Sequence, residues 1–168
     1  AMESVTGHIR WAIRRDLPRI MEIDNECFGS AAWTEDEFLM CLGKANCIAM
    51  VIEHCDRIVG FMVYELMADH IALLNFAVDP WCSRRGLGRQ MVQKLQNKLS
   101  ALRRNRIVAT VRESNLDAQL FFKAMGFLAT AIIDKHWDEI DEDAYMFEYH
   151  YEFPLLREQH DNARCEGR

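Results

Sequence analysis

The chain has 168 residues, half of them hydrophobic and 27% charged, and carries a formal net charge of -6. That length fits one ordinary domain around a single core, and that balance excludes a disordered or low-complexity chain. The negative charge argues against direct nucleic-acid binding, and no apolar run has the length of a membrane span.

Residues 1–7 read as a loose start and 154–168 as a polar, aperiodic end, so the expected domain is 8–153. No signal peptide is recognised, and the expected location is cytoplasmic. The cysteines (Cys27, Cys41, Cys47, Cys55, Cys82, Cys165) form no C-x-x-C pair and read as reduced, mostly packed thiols with no metal site. Alternation predicts a short strand over 9–13. Asp16 then stands as an N-cap, with Pro18 in the first turn and Leu17, Ile20 and Met21 at helical spacing. Thr34 and Glu37 form a capping box for a second helix carrying Phe38, Leu39 and Leu42.

Apolar runs at 47–53, 58–66 and 71–78, separated by short polar connections, predict an antiparallel meander. An amphipathic helix follows over 88–102, with Met91, Val92, Leu95, Leu99 and Leu102 on one face. A strand at 107–111, a helix at 115–125 stopped by Gly126, and strands at 127–134 and 144–153 complete the chain. This order predicts a mixed α+β sheet with helices on both faces.

The strongest chemical signal lies between the third of the meander strands and the long helix. Pro80 breaks the strand after Val78, and Gly86 and Gly88 open the helix. Glycines let the backbone approach a ligand, the helix start adds its positive dipole end, and Arg84, Arg85 and Arg89 add full charges. Together they make a cradle for a pyrophosphate. The G-K-[ST] ending of a P-loop and the spacing of a dinucleotide fingerprint are both absent.

Val78-Asp79-Pro80 followed by Arg84-Arg85-Gly86-Leu87-Gly88-Arg89 resembles the acetyl-coenzyme A signature of GNAT acetyltransferases. Val111-Arg112-Glu113-Ser114-Asn115, then Ala118 and Gly126-Phe127, is similar to a second motif of that family. Phe28, Trp33-Thr34, Phe38 and Glu142-Asp143-Ala144 resemble its RimI-type branch, which acetylates the N-terminal alanine of a small-subunit ribosomal protein. The resemblance implies a mostly antiparallel seven-stranded sheet whose fourth and fifth strands splay around acetyl-coenzyme A. By that resemblance Phe76, Ala77 and Val78 line the pantetheine arm, 84–89 hold the pyrophosphate, and Asn115 binds the pantetheine region.

The resemblance fails at the groups that move protons. The family's glutamate or histidine base falls on Thr110, and its tyrosine acid falls on Phe122. A threonine is a poor base and a phenylalanine has no proton to give. Glu113, Glu65, His70, Tyr64, His136 and Tyr145 are the other side chains weighed. Glu65, His70 and Tyr64 read as solvated polar groups near a strand connection. The acidic loop 137–143 and the aromatic residues Phe28, Trp33, Trp137 and Tyr145 are the candidate acceptor site, suited to the free amine of a basic protein or peptide. A small-amine or lysine acetyltransferase and a non-catalytic acyl-coenzyme A sensor stay open as alternatives.

Overall fold

The first hairpin of the meander is closed by Cys55 and Asp56, both left-handed (φ 51° and 59°), between the paired His54 and Arg57. Positive φ at both central residues gives a type I′ turn, whose twist matches the strands it joins. The computed structural model describes residues 3–134 and 142–152. Its strands are β1 (His8–Trp11), β2 (Cys47–His54), β3 (Arg57–Leu66), β4 (His70–Val78), β5 (Arg106–Arg112), β6 (Leu128–Ile133) and β7 (Ala144–His150). Its helices are α1 (Leu17–Phe28), α2 (Glu35–Leu42), α3 (Leu87–Gln96) and α4 (Leu116–Ala124).

The strands form one seven-stranded sheet in the order β1-β2-β3-β4-β5-β7-β6. Only β4 and β5 run parallel; the remaining neighbours are antiparallel. Strand alternation divides the core in two. Val51, Phe61, Val63 and Ala77 meet α1 and α2 through Ile20, Ile23 and Phe38. On the other face, Met62, Ile71, Ile107 and Val111 meet α3 and α4 through Met91, Leu95 and Phe122. A fully buried side chain such as Phe38 contributes roughly 1.5–3 kcal/mol.

Several local expectations need correction. Asp16 does not cap α1: it is itself helical, and its carboxylate accepts the Ile13 N–H and pairs with Arg10 at 2.7 Å. A 3₁₀ turn at 14–16 therefore leads into α1, and the strand before it ends at Trp11. The long helix stops at Gln96, where bonds from Lys98 N–H to Leu95 and from Leu99 N–H to Gln96 tighten the last turn. Leu102 lies outside it, 99% exposed, while Leu99 stays in the core. Strand β7 ends at His150. Within residues 3–7, Val5 N–H donates to the Arg85 carbonyl and Gln90 bonds the backbone of Val5 and Gly7. Tyr64 is a core residue whose hydroxyl meets Met50 Sδ, not a solvated hairpin group. Cys27 and Cys55 are exposed; Cys41 and Cys47 are buried.

Candidate active site

Strands β4 and β5 pair only over His70–Leu73 and Arg106–Ala109. Beyond that point each keeps its other neighbour and they diverge, β4 staying with β3 and β5 with β7. The local cause is a bulge: Tyr64 faces Leu73 and Val63 faces Asn75, so Leu74 is an extra residue in β4. A bulge bends its strand and raises its twist. The gap opens into a cleft of about 780 Å³, within the usual size of a small-molecule site.

The β4 wall presents backbone. Asp79 N–H donates to Val59 on β3. Alternation therefore turns the N–H groups of Phe76 and Val78 the other way, into the gap that β5 has left. The Asn75 side chain caps the first of these, accepting Phe76 N–H at 2.9 Å. Val78 shows its carbonyl on that side, where it accepts the Cys27 thiol at 3.3 Å.

Above β4 the chain makes the turn that the sequence marked as an anion cradle. Arg84 (φ 61°) and Gly86 (φ 86°) are both left-handed, and Gly86 is the N-cap of α3. The N–H groups in the first turn of a helix have no acceptor within it, so those at 87–89 are available to an anion. A Cβ on Gly88 would come within 3.3 Å of Phe76 and 3.4 Å of Phe121, so the glycine lets α3 sit close against β4. Arg84 and Arg89 line the cleft. Arg85 does not; its carbonyl instead holds Val5. Asn115 lines the far side, and its Oδ1 caps α4 by accepting Ala118 N–H.

These features agree with what comparison shows. Residues 17–127 match the Acetyltransferase (GNAT) family. The chain belongs to the GNAT acetyltransferase family. It is 30% identical over 112 residues to a [ribosomal protein bS18]-alanine N-acetyltransferase of Salmonella typhimurium, covering 67% of this chain and 74% of that one. Its fold is like that of the ribosomal-protein-S18-alanine N-acetyltransferase of Escherichia coli, at a TM-score of 0.73, 21% identity and coverage of 88% and 96%. Ard1 from Thermoplasma volcanium has a similar fold, at a TM-score of 0.77, 22% identity and coverage of 89% and 100%.

Thr110 and Phe122, the positions on which the resemblance places proton transfer, both line the cleft. Thr110 sits on β5 with its side chain on the α1 face of the sheet, opposite Met146. Phe122 is 5% exposed and packs among Phe76, Phe121, Phe127 and Phe147 at ring separations of 5.0–6.3 Å. The other weighed groups lie elsewhere. Glu65 accepts a bond from Asn46, His70 pairs with Asp69, and Glu113 lies beyond the end of β5. Tyr145 packs on the α3–α4 core and does not line the cleft.

On the acceptor side, Phe28 and Trp33 line the cleft, and Trp33 also packs against Phe38 at 5.0 Å. Trp137, His136 and residues 137–141 of the acidic loop lie outside the described residues. Glu142 is engaged locally: hydrogen bonds from the Ser114 hydroxyl and then from its N–H hold the carboxyl below the usual range. Sequence reasoning missed Asp24, Glu26 and Cys27, which line the cleft from α1. Burial pushes Asp24 above the ordinary carboxylate range. Partial desolvation of its sulfur against β4, although the residue as a whole is exposed, together with the nearby carboxylates Asp24, Asp79 and Glu26, pushes the Cys27 thiol up to about 11. The spacing of 24 and 27 on one helix face, just ahead of Trp33, was the available signal.

Proposed function

We propose that this GNAT enzyme acetylates the α-amine at the N-terminus of a cationic protein or peptide, with acetyl-coenzyme A as donor. The observation that carries the reading is the polarity of the cleft. Arg84 and Arg89 reach it at the start of α3 and Glu26 at the end of α1, with Asp24 buried in the α1 wall and Arg112 and Asp117 lining it from β5 and α4. A phosphorylated donor fits the first end, and an amine beside a basic chain fits the second. The ribosomal-protein alanine acetyltransferase named above is a relative with that kind of acceptor.

The residues present fit the donor. The left-handed turn at 84–86 and the open first turn of α3 suit a pyrophosphate, and Gly88 keeps Phe76 and Phe121 close beneath it. The coenzyme supplies an activated acetyl group and a thiol leaving group. The chain supplies the Val78 N–H group beside the place where charge develops on the acetyl oxygen, next to the Phe76 peptide that Asn75 holds. An amide bond forms between the amine nitrogen and the acetyl carbon while the carbon–sulfur bond breaks. The amine proton passes to solvent and the departing sulfur takes one from it, because Thr110 and Phe122 do neither. An N-terminal α-amine with a pKa of about 7.7–8.0 is partly neutral at physiological pH, so this route is open at reduced rate. Acid–base groups ordinarily add about 10²–10⁴-fold, which sets the size of the deficit.

Mass spectrometry of a peptide panel tests the reading. Acetylation is expected on free N-termini of basic peptides beginning with alanine, at a rate that climbs with pH as the amine loses its proton. Transfer confined to internal lysines or polyamines would replace this acceptor. A rate flat across the amine's titration, with transfer limiting, would show that the enzyme supplies its own base.

A further inference from the structure

The two walls of the cleft meet at one buried carboxylate. Asp24 has no exposed surface, and both of its oxygens are engaged. Oδ2 accepts the backbone N–H of Trp33 at 2.7 Å, at the acceptor mouth. Oδ1 accepts Nδ2 of Asn75 at 3.0 Å, on β4 directly after the bulge. Asn75 in turn accepts the N–H of Phe76, which the divergence of β5 has left without a strand partner.

The order of donors and acceptors in this chain is forced. The backbone N–H of Phe76 only donates, so Asn75 turns its amide oxygen to it and its NH₂ group to Asp24. A carboxylate reversed by protonation, or replaced by an amide, would release that constraint. An apolar residue would pack α1 onto the sheet without the cost of burying a charge. What the carboxylate adds is direction. It is not placed to take the amine's proton, since it is closed off from solvent and already holds two donors.

We propose that Asp24 is a positioning residue for acetyl transfer: through Asn75 it fixes the Phe76 peptide on the open edge of β4, and through Trp33 it ties that edge to the acceptor mouth. The proposal rests on reading the cleft as the site of acetyl transfer. A residue outside the family signature thereby couples donor wall to acceptor wall.

The test exploits the forced order. In Asp24→Asn the new side chain has one accepting oxygen; if that stays on Trp33, its NH₂ faces Asn75, which must flip and turn a donor onto Phe76 N–H. Adding Asn75→Asp restores every bond with the two roles exchanged. Folding is checked by thermal melting, the Phe76 amide by ¹H–¹⁵N spectra of the ligand-free protein, and turnover with acetyl-coenzyme A and an alanine-initiated basic peptide. In folded Asp24→Asn the Phe76 amide proton is expected upfield and kcat lower by roughly ten- to a hundredfold, with KM for acetyl-coenzyme A little changed. The exchanged pair is expected to recover both resonance and kcat. An unmoved resonance and an unchanged kcat in the single variant, or no recovery in the pair, overturns the proposal. Should Asp24→Asn fail to fold, Asn75→Ala removes the same acceptor from Phe76, and an unmoved resonance there is equally fatal. A wild type that transfers nothing overturns the acetyl-transfer reading and the catalytic half of this proposal with it, while the Phe76 resonance alone then decides the coupling.

Discussion

The wall formed by β4 and the start of α3 works through its backbone, whereas the opposite wall and the α1 end work through side chains. The first offers the N–H group of Val78, the Phe76 peptide held by Asn75, and a left-handed turn at Arg84 and Gly86. Side chains add the Arg84 and Arg89 charges there and, at Gly88, matter by being absent. The second offers Thr110, Phe122, Phe28 and Trp33, and each contributes only what its side chain can do. A backbone-built wall survives substitution, and a side-chain-built wall is rewritten by it. That is how the turn at 84–88 can suit a donor while Thr110 and Phe122 stand where the resemblance expects a base and an acid.

The largest effect is expected where a side chain is forced into the backbone wall. Gly88→Leu pushes against Phe76 and Phe121, and acetyl-coenzyme A should then no longer raise the melting temperature. At a hundredfold excess over Kd the wild type gains about 2.7 kcal/mol. A shift that persists in the folded variant would mean the donor binds elsewhere. Next in size is repair of the other wall: Thr110→Glu with Phe122→Tyr should raise turnover about tenfold or more. No gain in a folded double variant would show that this chain has other groups for proton transfer.

A smaller change should follow Trp33→Ala, which removes an apolar side of the acceptor mouth. A rise of about fivefold in KM for the peptide is expected from the loss of one to a few buried methylenes' worth of contact, with the acetyl-coenzyme A melt unchanged. The smallest effect on the cleft, none, is expected from Arg10→Met, which lies away from both walls. Arg10 holds the Asp16 carboxyl below its ordinary value of 3.8 through a 2.7 Å contact. A depressed aspartate stabilises above its unfolded pKa and loses that contribution as pH falls through the folded value. Wild type and variant should therefore differ by about 2 kcal/mol at neutral pH and converge below that range in acid melts.

The same contrast explains what was legible in the sequence. The anion turn was readable because glycines, a proline and arginines at fixed offsets are what such a backbone demands. The Thr34–Glu37 box was readable too, and the structure shows both of its bonds. The bulge at Leu74 was not, because an apolar strand residue carries no mark of being the extra one. Asp24 was missed because a lone aspartate in an amphipathic helix reads as solvated; only the fold puts it beneath Asn75. The overlong reading of α3 had a similar origin: Leu102 continues the helical period after the backbone has already turned.

The short parallel ladder also sets how the molecule can breathe. The ladder between β4 and β5 covers only 70–73 and 106–109, so beyond it the two halves of the sheet meet through side chains such as Phe76 and Phe121. The free length of β4 from Leu73 to Val78 is a lever of roughly 17 Å at about 3.3 Å per residue. A rotation of about 5° there would move the rim by roughly 1.5 Å, and it would have to slide Phe76 against Phe121.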